Sequence, residues 1–338
     1  MIRYFRGSLL FSVICLILAA FIGYQPAHSF SQAFSSVFLC LVLGFLEVSL
    51  SFDNTVVNAS VLQTMSEIWQ KRFLTWGLLI AVFGMRLIFP VMIVCMAGHL
   101  GPLSAINLAL AHPHQYAKIL AEAHTAIMGF GGAFLFMVGL DFFFNEEKKI
   151  HWIKFIESPL QKLSSCQGVE IAVVLVALYV VSQFLPQSEA LTFLTSSMFG
   201  LITYIAVQSI GQLLEAPKGA PQQVAKAGLG AFLYLEMMDA SFSFDGVIGA
   251  FAITTNLFII MLGLGIGAMF VRSLTMVLVK TGTLAEYRYL EHGAFWAILA
   301  LAIIMMISTF YEIPEIITGL IGIGLIGLSY LSSIKKIR

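Results

Sequence analysis

Two clusters of carboxylates and hydroxyls sit inside apolar sequence, Glu47-Val-Ser49-Leu-Ser51-Phe-Asp53-Asn54 and, 192 residues on, Asp239-Ala-Ser241-Phe-Ser243-Phe-Asp245-Gly. Carboxylate, Ser, Ser, Phe and carboxylate all recur at one offset. An ionised carboxylate in hydrocarbon is costly, and is neutralised, paired or bound to a cation. Glu236 stands three residues before Asp239, on the same helical face. The candidate ligands are therefore Glu47, Asp53, Asn54, Glu236, Asp239 and Asp245, with the four serines and any exposed backbone carbonyls around them. An all-oxygen set without cysteine suits a hard divalent cation such as Mn²⁺, Mg²⁺ or Ca²⁺. Gly44 occupies the position equivalent to Glu236, so the two clusters differ chemically.

These residues must be held by membrane helices. With 59% hydrophobic and 11% charged residues, the 338-residue chain is too apolar for a soluble globular protein. Spans of roughly 17 to 25 apolar residues can cross a bilayer as helices. Ten are expected, near 8–24, 33–60, 73–98, 123–144, 169–186, 191–214, 228–254, 256–281, 291–311 and 315–334. The first follows Arg3 and Arg6 and has the look of a signal peptide, with Pro26-Ala-His-Ser29 as a poor cleavage segment. Shifted by the repeat offset it lands on the sixth span, which favours a retained helix. Tyr311-Glu-Ile-Pro-Glu315 reads as a tight turn between the last two spans.

With the N-terminus inside, fifteen of the eighteen Lys and Arg fall in inner segments and only Lys118 in an outer loop, while Arg86 and Arg272 lie within spans. Cytoplasmic loops carry the basic excess, so both termini are expected in the cytoplasm. Five crossings separate the second and seventh spans, which therefore run in opposite directions. Arg86-Leu-Ile-Phe-Pro and Arg272-Ser-Leu-Thr-Met echo each other, as do Glu122-Ala-His124 and Glu291-His292. The expected fold is thus an all-α polytopic membrane protein with an inverted 5+5 repeat. Its halves are 1–186, including a cytoplasmic loop 145–168, and 187–338.

Inverted repeats place substrate near the midplane, where broken helices meet. On an unbroken helix, Glu47 and Asp53 would point about 120° apart. Either the helix unwinds or the two acids serve different places; breaks are expected in helices two and seven, with Ser49, Ser51, Ser241 and Ser243 satisfying the freed backbone. Arg86 and Arg272 are either counter-ions of the acids or packing cations bonded to carbonyls. His124 and His292 are relay or gating candidates, with interfacial capping as the plainer role. The His112-Pro-His114 loop and the lysine-rich 145–168 connector read as solvated, Asp141 as a helix-end anchor, and Gly263, Gly265 and Gly267 as a close-packing series.

Other classes find little support. There is no basic nucleic-acid patch, no phosphate-binding GxxxxGK[ST] loop to drive transport by ATP, and no HExxH. The Glu-His spacings differ from those of di-iron bundles, so an intramembrane metalloenzyme is the weaker alternative and no prosthetic cofactor is expected. Cys15, Cys40, Cys95 and Cys166 lack ligand spacing and read as small packing residues.

The pattern Glu47-x-x-Leu50-Ser51-Phe52-Asp53-Asn54, with its partner Asp239 to Asp245, resembles the TerC-like integral membrane family associated with tellurium resistance, within the wider LysE-type exporter group. The resemblance covers most of residues 33–311, although ten spans exceed the compact family form. It implies a bacterial inner-membrane exporter of Mn²⁺, with proton exchange as the candidate coupling and with Glu47, Asp53, Asn54, Asp239 and Asp245 at the ion site, Glu236 standing outside the matched pattern. A Ca²⁺/H⁺ or other cation exchanger, or a resistance-complex scaffold whose acids are structural, remain the alternatives. The expected partners are the metal ion, protons and the lipid bilayer.

Overall fold

The computed structural model describes residues 2–25, 28–77, 79–145, 148, 150–163, 168–214, 224–311 and 313–337. The side chains of Asp245 and a few other helical residues lie outside that description. The chain is an all-α polytopic membrane protein. In order it forms α1 (Ile2–Tyr24), α2 (Phe30–Leu50), α3 (Phe52–Thr64), α4 (Glu67–Arg72), α5 (Phe89–Ala97), α6 (Pro102–Ala111), α7 (Pro113–Glu122), α8 (His124–Phe143), α9 (Lys154–Leu163), α10 (Val169–Ser182), α11 (Gln187–Leu214), α12 (Val224–Ile253), α13 (Leu257–Thr281), α14 (Thr283–Glu286), α15 (Leu290–Ser308) and α16 (Glu315–Ile337). Between α4 and α5 the backbone widens into π-helical turns at Phe73–Gly77 and Ile80–Ile88.

Among the described residues, eight helical segments are long and apolar enough to span a membrane. The other two expected spans appear as α10, which is only 14 residues long, and α12, a 30-residue helix carrying the second acid motif. The expected second span is broken. Ser51 leaves the helical region at φ −99°, ψ 19°, so that α2 ends and α3 begins around it. The expectation for the seventh span needs correction, because α12 runs continuously through Asp239–Asp245. Ser241 donates its hydroxyl to the carbonyl of Met237 at 3.0 Å, so it bonds back within the helix instead of opening it.

The chain forms two compact units. The first comprises Met1–Ser51, Gln70–His124 and Phe242–Val277. Here α1 packs along α2 and is tied to α13 by Ser8, whose hydroxyl reaches the Met269 carbonyl at 2.9 Å and the Ser273 hydroxyl at 2.6 Å. Helices α2 and α13 meet through glycines, as expected of that series. Gly263 packs on Cys40 and Leu43, and Gly267 on Glu47. The His112-Pro-His114 segment joins α6 to α7, with Pro113 at the first helical position, where its missing N–H costs nothing.

The second unit comprises Phe52–Trp69, Thr125–Ser241 and Leu278–Arg338. Its centre is α8 and α15, whose most apolar windows are 72% and 67% buried against 22% for α16. Small residues allow the close approach. Gly132 packs against Ala302 and Met306, and Gly139 against Leu299. Helix α3 packs on α15 and α16. Thus the acid-bearing helix after the Ser51 break lies against α15, one of the two central helices of its unit.

Candidate functional site

In the first unit, Glu47 is 5% exposed near the end of α2. Arg86, 2% exposed within the second π-helical stretch, forms a buried ion pair with its carboxylate and also donates to the Ala81 carbonyl. Ser51 adds a hydroxyl to Glu47 Oε1 at 3.3 Å, while Ser49 bonds back to the Phe45 carbonyl. Burying both ions is costly, and geometry of this kind with added hydrogen bonds is what offsets that cost. Arg86 therefore fills the counter-ion role. Arg272 instead holds backbone, donating to the carbonyls of Phe73 and Gly77 and lying 4.2 Å from the Phe73 ring centroid. The wide π turns present carbonyls that a guanidinium fork can reach.

In the second unit, Asp53 occupies the first turn of α3, where the helix dipole favours a negative charge. It is 6% exposed and its Oδ1 accepts the Asn54 N–H at 2.9 Å. Gly322 of α16 packs beside it, since a Cβ there would stand in ordinary contact at 3.6 Å from Asp53 Oδ2. Asn54 donates its Nδ2 to Asp239 Oδ1 at 2.7 Å, which brings a residue of the first motif onto a residue of the second. That bond fixes the amide, because the reversed orientation would set oxygen against carboxylate. Asn54 Oδ1 is left buried with no hydrogen-bond donor, as is Asn58 Oδ1 one turn further along α3, and each residue is 2% exposed. Glu236 is buried on α12 at 5% exposure. Asn58 escaped the sequence reading. Its signal was an amide four residues after Asn54 on the same face of an otherwise apolar stretch.

Among the described residues, no group of three or more His, Cys, Asp or Glu side chains is placed to hold a metal ion. The oxygens that do gather in the second unit are amides beside single carboxylates. The side chain of Asp245 is outside the described residues.

A second polar cluster has a different centre. The 145–168 connector was expected to be solvated, yet Glu157 on α9 is 1% exposed. It accepts the backbone N–H of Trp152 at 3.1 Å and of Ile153 at 3.2 Å, the Trp296 indole N–H at 3.1 Å, and a hydrogen bond from His292 Nδ1 at 2.9 Å. His151 and Lys148 approach the same carboxylate to 3.7 and 4.0 Å. Burial alone would raise the Glu157 pKa, but the hydrogen bonds from His292 and Trp296 outweigh it and hold the group at about 2. Lys148, desolvated over the Phe142 ring at 3.5 Å, is lowered to about 8. The connector is solvated only in part, because its one amphipathic helix carries a carboxylate that α15 can satisfy. His292 thus sits in a buried anchor, whereas His124 is half-buried at the start of α8. Asp141, near the end of α8, accepts Gln208 Nε2 at 3.2 Å, in keeping with a helix-end anchor.

No curated protein and no solved structure matches the chain. Residues 52–338 match a family described as a protein of unknown function, DUF475, and the chain belongs to that family.

Proposed function

We propose that the protein is a secondary transporter that exports a hard divalent cation, with Mn²⁺ the first candidate and proton exchange the candidate coupling. The observation that carries this reading is the Asn54–Asp239 hydrogen bond inside the apolar bundle. It joins the two acid motifs at a point where oxygen ligands are buried, a setting in which polar groups in membranes mark ion pathways. The contacts also repeat with the sequence. Gly246, 192 residues after Asn54, lies against Glu47, 192 residues before Asp239, a Cβ at Gly246 standing 3.2 Å from Glu47 Oε2. This supports an inverted repeat, and the basic-residue count supports cytoplasmic termini in a bacterial inner membrane. The candidate proton acceptor when the cation leaves is Asp53, a carboxylate buried in the first turn of α3 beside the Asn54–Asp239 bond.

The Glu47–Arg86 pair favours a second reading, a membrane scaffold whose acids are structural. Proteoliposomes separate the two. Mn²⁺ flux present in wild type and lost in Asp53→Asn and Asp239→Asn, with Ca²⁺ and Mg²⁺ as competitors, supports transport. Absence of flux under both pH and Mn²⁺ gradients, with the protein folded, favours the scaffold.

A further inference from the structure

The two acid motifs look equivalent in sequence, but their surroundings are not. In the second unit, two contacts fix the relation between α3 and the Gly228–Ser241 part of α12. Asn54 bonds Asp239, and beyond the other end of α3 Trp69 packs on Phe232 with ring centroids 5.7 Å apart and closes over Gly228. As the chain advances from Asn54 to Trp69, its partners step back from Asp239 to Phe232 and Gly228. The chain from Asn54 at the start of α3 to Trp69 of α4 therefore runs opposite in direction to α12. One turn on from Asn54 is Asn58, and one turn back from Asp239 is Glu236, so the pairing that begins with Asn54 and Asp239 continues at the level of Asn58 and Glu236.

Asn54 Oδ1 and Asn58 Oδ1 are buried acceptors that no donor reaches. Leaving such a group unmade costs about 1–3 kcal/mol, and a buried acceptor of this kind calls for an ion or water to satisfy it. The equivalent positions in the other half are Gly246, Ala250, Gly44 and Glu47. There the amides and one acid are replaced by small residues, and the remaining acid is held by Arg86.

We infer that the cation site is one-sided, built by Asn54, Asn58, Glu236 and Asp239 between α3 and α12, with Asn58 a ligand and Glu47 excluded from the ligand set. This inference rests on the cation reading above and deepens it. Two amide oxygens with two carboxylates form a neutral site once a divalent cation is bound, and its oxygen donors fit a hard ion.

The test measures Mn²⁺ binding directly, by the loss of the free-ion electron paramagnetic resonance signal on titration into the full-length protein in detergent. Asn58→Leu, Asn58→Asp and Glu47→Gln/Arg86→Met variants are compared with wild type, and flux is read in parallel. Asn58→Leu is expected to weaken binding by at least about tenfold without lowering thermal stability of the metal-free protein. Asn58→Asp, which keeps an oxygen in place, is expected to bind, and so is the Glu47/Arg86 double variant. Should Asn58→Leu fail to fold, Asn58→Ala is judged by the same criterion. Wild-type affinity in the leucine or alanine variant, or binding lost in the Glu47/Arg86 double variant, overturns the one-sided site. If flux still falls in Asp53→Asn, the transport reading survives that result. Mn²⁺ binding with Asn58 dependence but no flux keeps the site and removes transport. Failure of wild type to bind Mn²⁺, Mg²⁺ or Ca²⁺ overturns both.

Discussion

His292 Nδ1 lies 2.9 Å from Glu157 Oε2, and that hydrogen bond ties α15 to a helix 135 residues earlier in the chain. The carboxyl is held at about 2 against an ordinary 4.5, so the folded state favours its charged form. The resulting stability is complete above about pH 4.5 and is lost as pH falls toward about 2. Glu157→Gln is expected to destabilise the protein at neutral pH by about 2 kcal/mol, the scale of a hydrogen bond to a charged group. The gap between wild type and variant should close across that acid window in denaturation series. A gap that does not change with pH would show that the carboxylate charge is not what holds α9.

That anchor also marks the limit of what sequence could tell. The spanning helices are legible because a long apolar run has few alternatives in a bilayer. The break at Ser51 is legible too, since Glu47 and Asp53 are badly spaced for one straight helix. The equivalent break in α12 is not, because a serine hydroxyl can either open a helix or bond back within it, and Ser241 bonds back to Met237. Nothing local distinguishes the two outcomes. The same holds for Arg86 and Arg272, similar in sequence surroundings, of which one holds Glu47 and the other the carbonyls of Phe73 and Gly77. Glu157 was hidden for another reason. Its partners on α15 are fixed by tertiary packing, while its own neighbourhood of lysines reads as a wet loop.

The Glu47–Arg86 pair makes a prediction about non-additivity. Removing one member of a buried ion pair leaves the other charge without its partner and costs about 3–5 kcal/mol, whereas replacing both with apolar or neutral groups of similar size is often close to neutral. Glu47→Gln and Arg86→Met are each expected to lower thermal stability sharply, and the double variant to recover most of the loss. Additive losses would mean that the two side chains do not act on each other. Flux that stays absent in a well-folded double variant would return Glu47 to the list of cation ligands.

Gly267 tests the packing that presents Glu47. A methyl at this position of α13 would run into the Cβ and Cγ of Glu47 and stand 2.8 Å from the Gly44 carbonyl. Backbone cannot yield as a flexible side-chain tip can, so the helices must separate or Glu47 must turn away from Arg86. Gly267→Ala is expected to cost about 1–3 kcal/mol as overpacking, and the cost should be relieved only in part when Glu47 is already alanine, because the Cγ contact goes while those with the residue 47 Cβ and the Gly44 carbonyl stay. Gly324→Ala on α16 is the control, since a Cβ there meets nothing within 4 Å. It should leave stability unchanged or slightly raised, as glycine is the poorer helix former. Equal effects at the two glycines in the same thermal assay would mean that α2 and α13 are not in close contact at Glu47, and the buried pair with Arg86 would lose its structural support.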